Sequence, residues 1–135
     1  LAKLKYLDQW TEKRRQNAQT YNNLFSERGL TNYLTIPPEI FPRHVYNQYV
    51  IRVKNNRDEL RSFLNEKNIS TEIYYPLPLH LQDCFAYLGY EKGAFPESEK
   101  AANESIALPI FPELTQEQLS YVTEKIDEFT KKYGI

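Results

Sequence analysis

The stretch HVYNQYVIRV, residues 44–53, decides the fold class of this chain. Alternate residues fall into two sets, namely Val45, Asn47, Tyr49, Ile51 and Val53 on one side, and His44, Tyr46, Gln48, Val50 and Arg52 on the other. A period of two residues is typical of a β-strand that shows different faces to its surroundings. We therefore predict a strand over residues 44–53.

Two pairs of residues resemble capping boxes and mark the starts of helices. Asn56 is followed three residues later by Glu59, and Thr115 is followed by Gln118. Apolar residues at helical spacing follow each pair. The predicted inward stripes are Leu60, Phe63 and Leu64 in the first helix, and Leu119, Val122, Ile126 and Phe129 in the second.

Two further short segments complete a predicted sheet. TEIYY, residues 71–75, is predicted to be a strand that stops at Pro76, because proline cannot donate to a central ladder. IALP, residues 106–109, predicts a third strand, and between the two we expect a short helix over residues 80–88 and another that opens near Pro96. This order of elements predicts an α/β (α+β) sandwich, in which helices cover a small antiparallel-type sheet on one or both faces.

Residues 1–29 predict one long helix that Gly29 ends. About 28 residues is long for a globular helix, and such helices often link two domains or form part of a subunit interface. The alternative is a helix that simply crosses its own small domain. We divide the chain into an inter-domain helix (1–29) and a small domain (30–135). Because Leu1 lies inside the helical pattern and the chain has no methionine, we expect it to be a piece of a longer protein.

Composition excludes several classes of function. The chain has 17 Lys+Arg against 18 Asp+Glu, which argues against a nucleic-acid surface, since that needs a clustered basic face. No apolar run approaches the roughly 18 residues of a membrane span. The single cysteine, Cys84, cannot form an internal disulfide, so we expect a reducing, cytoplasmic compartment.

Motifs for metal or phosphate chemistry are missing from the sequence. The two histidines, His44 and His80, have no metal-ligand spacing, and none of the four glycines forms a G-x-G pattern. Cys84 lies between Leu81 and Phe85 on the predicted helix. We interpret it as a small buried hydrophobic residue rather than a nucleophile.

The stretch IYYPLPLHLQ, residues 73–82, is the strongest candidate for a binding element. Its two prolines hold the backbone extended, so it can present Tyr74, Tyr75 and His80 at low entropic cost. Tyrosine hydroxyls and imidazole suit hydrogen bonding to sugar hydroxyls or phosphate oxygens. The alternative is that one of the tyrosines alternates into the core and that His80 caps the following helix.

Several segments, in order, resemble the C-terminal part of the DegT/DnrJ/EryC1/StrS sugar aminotransferases. They are HVYNQYVIR, RDELRSFLNEKNISTEIYYPLPLHLQ, LGY and FPESEKAANESIALPIFPELTQEQLSYV, and the opening LKYLDQWTEKRRQNAQTYNNLF resembles the segment that joins the large and small domains. The resemblance implies the small domain of a homodimeric pyridoxal 5′-phosphate enzyme of the aspartate aminotransferase fold. Such enzymes transfer an amino group from an amino acid, usually glutamate, to a nucleotide-linked keto-sugar; IYYPLPLHLQ favours a dTDP-3-keto-deoxyhexose.

The resemblance also implies which residues contact substrate. His80, in PLPLH, matches the family histidine that approaches the hexose hydroxyl next to the reacting carbon in enzymes that aminate C3. Tyr74 and Tyr75 lie on the approach to it, and Asn47 and His44 are further candidates for which a structural role is the alternative. The Schiff-base lysine, the acid on the pyridine nitrogen and most phosphate ligands belong to the large domain. We therefore assign no catalytic or cofactor-binding residue here and expect the isolated chain to be inactive.

Two alternative functions stay open. One is a non-catalytic regulatory relative of the same fold, since names in this family also include sensory and regulatory labels. The other is a stand-alone interaction module. A stand-alone module should show no unexplained apolar surface, whereas a domain taken from a larger enzyme should expose the surface that met its large domain.

Overall fold

The computed structural model describes residues 2–134 and contains a small antiparallel sheet with four α-helices. The strands are β1 (Leu34–Thr35), β2 (Tyr49–Val53) and β3 (Ser105–Leu108), in the order β1-β2-β3. The helices are α1 (Leu7–Glu27), α2 (Arg57–Glu66), α3 (Pro96–Glu104) and α4 (Gln116–Tyr133), with 3₁₀ turns at Leu4–Tyr6, Leu30–Asn32, Leu79–Leu81 and Asp83–Leu88. This confirms the predicted α/β fold class.

One face of the sheet packs against α1, α2 and α4. Successive side chains of a strand point to opposite faces, and Tyr49, Ile51 and Val53 are fully buried on the helical side. The ring centroids of Tyr49 and Tyr21, on α1, lie 5.1 Å apart. The predicted stripes of α2 and α4 are all buried in this core, because apolar residues at helical spacing lie on one side of a helix.

The strand predicted over residues 44–53 is wrong in its first half, since β2 begins at Tyr49. Tyr46 has a left-handed backbone with φ of +42°, which breaks the alternation and turns its ring into the core. The strand predicted over 71–75 reduces to one bridge between Glu72 and Ala107, and β3 lies one residue earlier than predicted.

The predicted helix ends are partly confirmed. Thr115 and Gln118 form a capping box, in which the Gln118 N–H donates to Thr115 Oγ1 (3.3 Å) and the Thr115 N–H donates to Gln118 Oε1 (3.0 Å). The predicted cap at Asn56 is wrong: its backbone is left-handed and its side chain makes no capping bond. A side-chain cap normally needs the extended backbone that Thr115 has. The long helix predicted over residues 1–29 is shorter, since α1 covers Leu7–Glu27 after the 3₁₀ turn Leu4–Tyr6, and Leu1 lies outside the described residues. Gly29 follows the end of α1 with φ of +69°, as expected for a left-handed stop.

The region predicted as a helix over 80–88 forms two 3₁₀ turns instead. Gln82 lies between the turns with an extended backbone, which prevents a continuous helix. The second turn, Asp83–Leu88, has no buried residue, and Cys84 on it is exposed. The interpretation of Cys84 as a buried hydrophobic residue is therefore wrong.

None of the helices described within residues 2–134 has the length and apolar character needed to cross a bilayer.

We expect the fold to lose stability in alkaline solution, because four of its tyrosines are buried. Burial raises the pKa of Tyr21, Tyr46 and Tyr49 above the usual value, and burial together with Glu59 raises that of Tyr33 to about 12. Because these folded-state values exceed the unfolded ones, the stabilisation is complete below about pH 10 and is lost as the pH rises through the raised values. We expect circular dichroism to report unfolding above about pH 10.

The ultraviolet absorbance of tyrosinate provides the check. A rise in this absorbance should accompany the loss of the circular dichroism signal, because the four buried tyrosines ionise as the fold opens. One tyrosinate transition near pH 10, with the circular dichroism unchanged at higher pH, contradicts the prediction.

Candidate functional site

A depression of about 410 Å³ lies on the face of the sheet opposite the helical core. We call it the sheet pocket. Its floor includes Val50 of β2 and Ala107 of β3. One wall comes from the segment after the Glu72 bridge, through Tyr74, Tyr75, Pro78 and Leu79, and the other comes from α3, through Ser98, Ala101 and Ala102.

The chemistry of the lining is apolar with a few uncharged polar groups. Gln48, Ser98, Ser105 and the two tyrosines supply hydrogen-bonding groups, and Glu72 supplies a carboxylate. Among the residues that the structure describes, no lysine or arginine lines the sheet pocket. Apolar surface with a few placed polar groups is typical of sites for small organic ligands. This lining suits an uncharged, hydroxyl-bearing ring rather than a phosphate.

Tyr74 and Tyr75 both line the sheet pocket, and both side chains are exposed. The alternative that one of them enters the core is wrong. The reason is that pairing with β3 ends at Glu72, so the tyrosines follow no buried strand face. Pro78, which is buried, lies on the same wall.

Asn47 lines an adjoining depression of about 220 Å³, which shares Gln48, Glu72, Tyr74 and Ala107 with the sheet pocket. Gln48 therefore lies between the two depressions. We did not predict it, because the sequence interpretation treated residues 44–53 as one regular strand. The strained Tyr46 immediately precedes this pair, and backbone strain of this kind is concentrated at functional sites.

His44 lies outside the lining of both depressions. Its ring packs against that of Tyr46 with centroids 4.1 Å apart, and its Nδ1 accepts a hydrogen bond from the Tyr46 N–H (3.0 Å). These contacts hold the left-handed turn. The structure thus gives His44 a structural contact, while its contact with substrate stays a prediction.

His80 does not line the sheet pocket, but it directly follows Leu79, which does. Its Nε2 is 3.0 Å from Glu99 Oε1, and its ring meets the edge of Phe95 with centroids 4.9 Å apart. The Gly93 N–H donates to the same carboxylate oxygen (2.7 Å). This bond, and to a smaller extent the one to His80, holds the pKa of Glu99 below its usual value. The alternative that His80 caps a helix is wrong, because its side chain bonds to Glu99.

Arg57 supports the sheet pocket from outside its lining, and the sequence analysis did not single it out. It is buried at the start of α2, where Nη1 donates to the carbonyl oxygens of Ala102 (3.0 Å) and Ser105 (2.8 Å) and Nε donates to Asp58 (2.7 Å). Both carbonyls belong to residues that line the sheet pocket. No local signal in the sequence marks Arg57, since its partners lie on α3 and β3.

Among residues 2–134, the lining of the sheet pocket has neither a lysine nor a group of metal ligands. Thr130 and Lys131 form a Thr-Lys pair, but Lys131 lies in the last turn of α4, where it pairs with Asp127 (2.7 Å). Within residues 2–134 no three His, Cys, Asp or Glu side chains are grouped to hold a metal ion.

Comparison with known proteins identifies the relatives of this chain. The sequence profile of the DegT/DnrJ/EryC1/StrS aminotransferase family matches residues 1–127. The chain is 52% identical over 133 residues to a "pleiotropic regulatory protein" of Geobacillus stearothermophilus, covering 98% of this chain and 35% of that one. It is 34% identical over 128 residues to the dTDP-3-amino-3,6-dideoxy-α-D-galactopyranose transaminase of Aneurinibacillus thermoaerophilus, covering 94% and 33%.

A solved structure shows the same fold. The structure of DesV from S. venezuelae in complex with a ketimine intermediate matches with a TM-score of 0.86 and 29% identity, over 96% of this chain and 34% of that one. The chain thus spans about a third of the length of the relatives that it matches. These findings confirm the predicted resemblance.

Proposed function

Because the chain belongs to the DegT/DnrJ/EryC1/StrS aminotransferase family, we propose that it is the C-terminal small domain of a sugar aminotransferase. The full-length protein transfers an amino group from an amino acid, with glutamate as the expected donor, to a nucleotide-linked keto-sugar. The observation that carries this proposal is the family match over residues 1–127. The relative named as a transaminase of a dTDP-linked amino sugar supports it.

The sheet pocket forms the part of the substrate site that contacts the sugar. Tyr74 and Tyr75 offer aromatic faces and hydroxyls to a hexose ring, and Asn47 extends the wall into the adjoining depression. Since the lining carries Glu72 and no cation among the described residues, the nucleotide phosphates bind elsewhere. The family resemblance of IYYPLPLHLQ favours a dTDP-3-keto-deoxyhexose as the substrate.

Pyridoxal 5′-phosphate supplies the electron sink in such a transfer. It needs a lysine for its Schiff base and donors for its phosphate, and the lining of the sheet pocket has no lysine or arginine among the described residues. The pocket alone therefore does not fit the cofactor. We place the cofactor in the part of the relatives that this chain does not span, and we expect the isolated chain to be inactive.

Exposed apolar side chains support the proposal that this domain belongs to a larger assembly. Leu4 and Leu7 near the start of α1, and Ile40 and Phe41 on the loop before β2, are all exposed. Exposed apolar side chains grouped in this way are typical of interaction surfaces. In the full-length protein we expect a homodimer that works in the cytoplasm.

The test uses the full-length protein. We expect an absorbance band of bound cofactor and amine formation when the protein is given glutamate and a dTDP-linked 3-keto-6-deoxyhexose. The same sugar linked to UDP is the matched control for the nucleotide. A full-length protein that binds the cofactor but aminates neither sugar contradicts the proposed substrate class.

A regulatory function is the second candidate, and the 52% identical relative named a pleiotropic regulatory protein favours it. The same experiment separates the two functions. A folded full-length protein with no cofactor absorbance and no transfer supports regulation. The exposed apolar residues and the family match argue against a stand-alone interaction module.

A further inference from the structure

We propose that Glu99 is a positioning residue of the sheet pocket, whose carboxylate orients His80 and joins the two walls of the pocket. The inference rests on the proposed function, because only that function assigns His80 and the pocket to a sugar substrate. It goes beyond the proposed function because it gives Glu99, which does not line the pocket, a role in orienting His80.

The position of the pair supports this role. Glu99 lies in the first turn of α3, and His80 lies in the 3₁₀ turn Leu79–Leu81. The residues that precede them, Ser98 and Leu79, line opposite walls of the sheet pocket. The bond between His80 Nε2 and Glu99 Oε1 (3.0 Å) therefore joins the two segments that carry these walls.

The surroundings of the pair hold it in one geometry. The side chains of His80 and Glu99 are only 7% and 14% exposed. The Gly93 N–H fixes Glu99 Oε1 from the other side (2.7 Å), and Phe95 packs its ring edge-on against His80. Tyr90 in turn packs against Phe95 with centroids 4.9 Å apart. Rigid support of this kind is what a precisely placed binding group needs.

The charge of Glu99 determines the tautomer of His80. The lowered pKa of Glu99 keeps the carboxylate ionised at neutral pH, and an ionised carboxylate can only accept hydrogen bonds. The nitrogen facing it, Nε2, must then carry the hydrogen. In the neutral ring this leaves Nδ1 as an acceptor, so the ring can accept a hydrogen bond from a sugar hydroxyl only through Nδ1.

Steady-state kinetics of the full-length protein test the inference. The substrates are dTDP-3-amino-3,6-dideoxy-α-D-galactopyranose and 2-oxoglutarate, with transfer measured in the reverse direction. We expect Glu99→Ala to raise the KM for the sugar nucleotide about tenfold, as the loss of one placed hydrogen bond does. His80→Asn should raise it equally, and the double variant should raise it no further, because both changes break one contact.

Two variants and one control separate positioning from simple stability. Glu99→Gln keeps an acceptor oxygen and should hold the KM within about threefold of wild type. Glu99→Asp keeps the charge at the start of α3 but draws the carboxylate away from His80, so its KM should rise even if Glu99→Ala does not fold. Glu97→Ala changes an exposed acid in the same turn and should leave the KM unchanged.

The outcomes are distinguishable. A folded Glu99→Ala or Glu99→Asp protein with a wild-type KM overturns the inference, and so do additive effects of Glu99→Ala and His80→Asn. A lower melting temperature with an unchanged KM shows a structural role alone. A wild-type protein that neither transfers the amine nor binds the sugar nucleotide by calorimetry overturns the proposed function and, with it, this inference.

Discussion

Replacing Tyr75 with alanine in the full-length protein is expected to raise the KM for the sugar nucleotide about tenfold, and the same is expected for Tyr74. In the free domain these side chains are 69% and 50% exposed, so their loss costs little folding stability. In the proposed site, a hexose bound in the sheet pocket would cover them. Covering an aromatic side chain contributes about 1.5–3 kcal/mol, which corresponds to a factor of ten or more in affinity. The double variant is expected to lose about a hundredfold.

A matched control separates binding from surface chemistry. Tyr87 is 80% exposed on the 3₁₀ turn Asp83–Leu88 and lies outside the lining of the sheet pocket, so Tyr87→Ala should keep the wild-type KM. Phenylalanine at positions 74 and 75 distinguishes the ring from the hydroxyl. If the double alanine variant keeps the wild-type KM and melting temperature, the sheet pocket is not a wall of the sugar site.

Local patterns in the sequence predicted the helical core well. The stripes of α2 and α4 are buried as expected, since periodicity alone places such residues on one side of a helix. The sequence also singled out Tyr74 and Tyr75, which line the sheet pocket, because the prolines after them restrict the backbone. Their contact with substrate stays a prediction. These features depend on neighbours within a few residues, and so the sequence contains their signal.

Contacts between distant parts of the chain could not be predicted in this way. His80 and Glu99 are 19 residues apart, and Arg57 and Ala102 are 45 residues apart. The left-handed backbone at Tyr46 has no local signal either, because a bulky residue rarely adopts it unless surrounding packing imposes it. The predicted cap at Asn56 shows the converse, a local signal that tertiary structure overrode.

Arg57→Met should lower the free energy of unfolding by about 2–4 kcal/mol, because two hydrogen bonds from a charged donor are lost together. The Arg57 residue is 9% exposed, and its Nη1 bonds the carbonyl oxygens of Ala102 and Ser105. Methionine fills a similar volume but leaves both acceptors without their donor. Urea denaturation measures the change.

Arg61→Met is the matched control on the same helix. Its side chain is 46% exposed and lies 3.7 Å from Glu72, and exposed ion pairs contribute about 0–1 kcal/mol. Arg57→Lys should recover only part of the lost stability, because one ammonium group lacks the rigid fork that reaches Asp58 and both carbonyls. Equal losses for Arg57→Met and Arg61→Met contradict the prediction, since they imply that water replaces the guanidinium at both carbonyls. The end of α3, and with it one wall of the sheet pocket, would then be held by the β2–β3 ladder and by the bond that Arg52 Nε donates to Glu104 (3.1 Å).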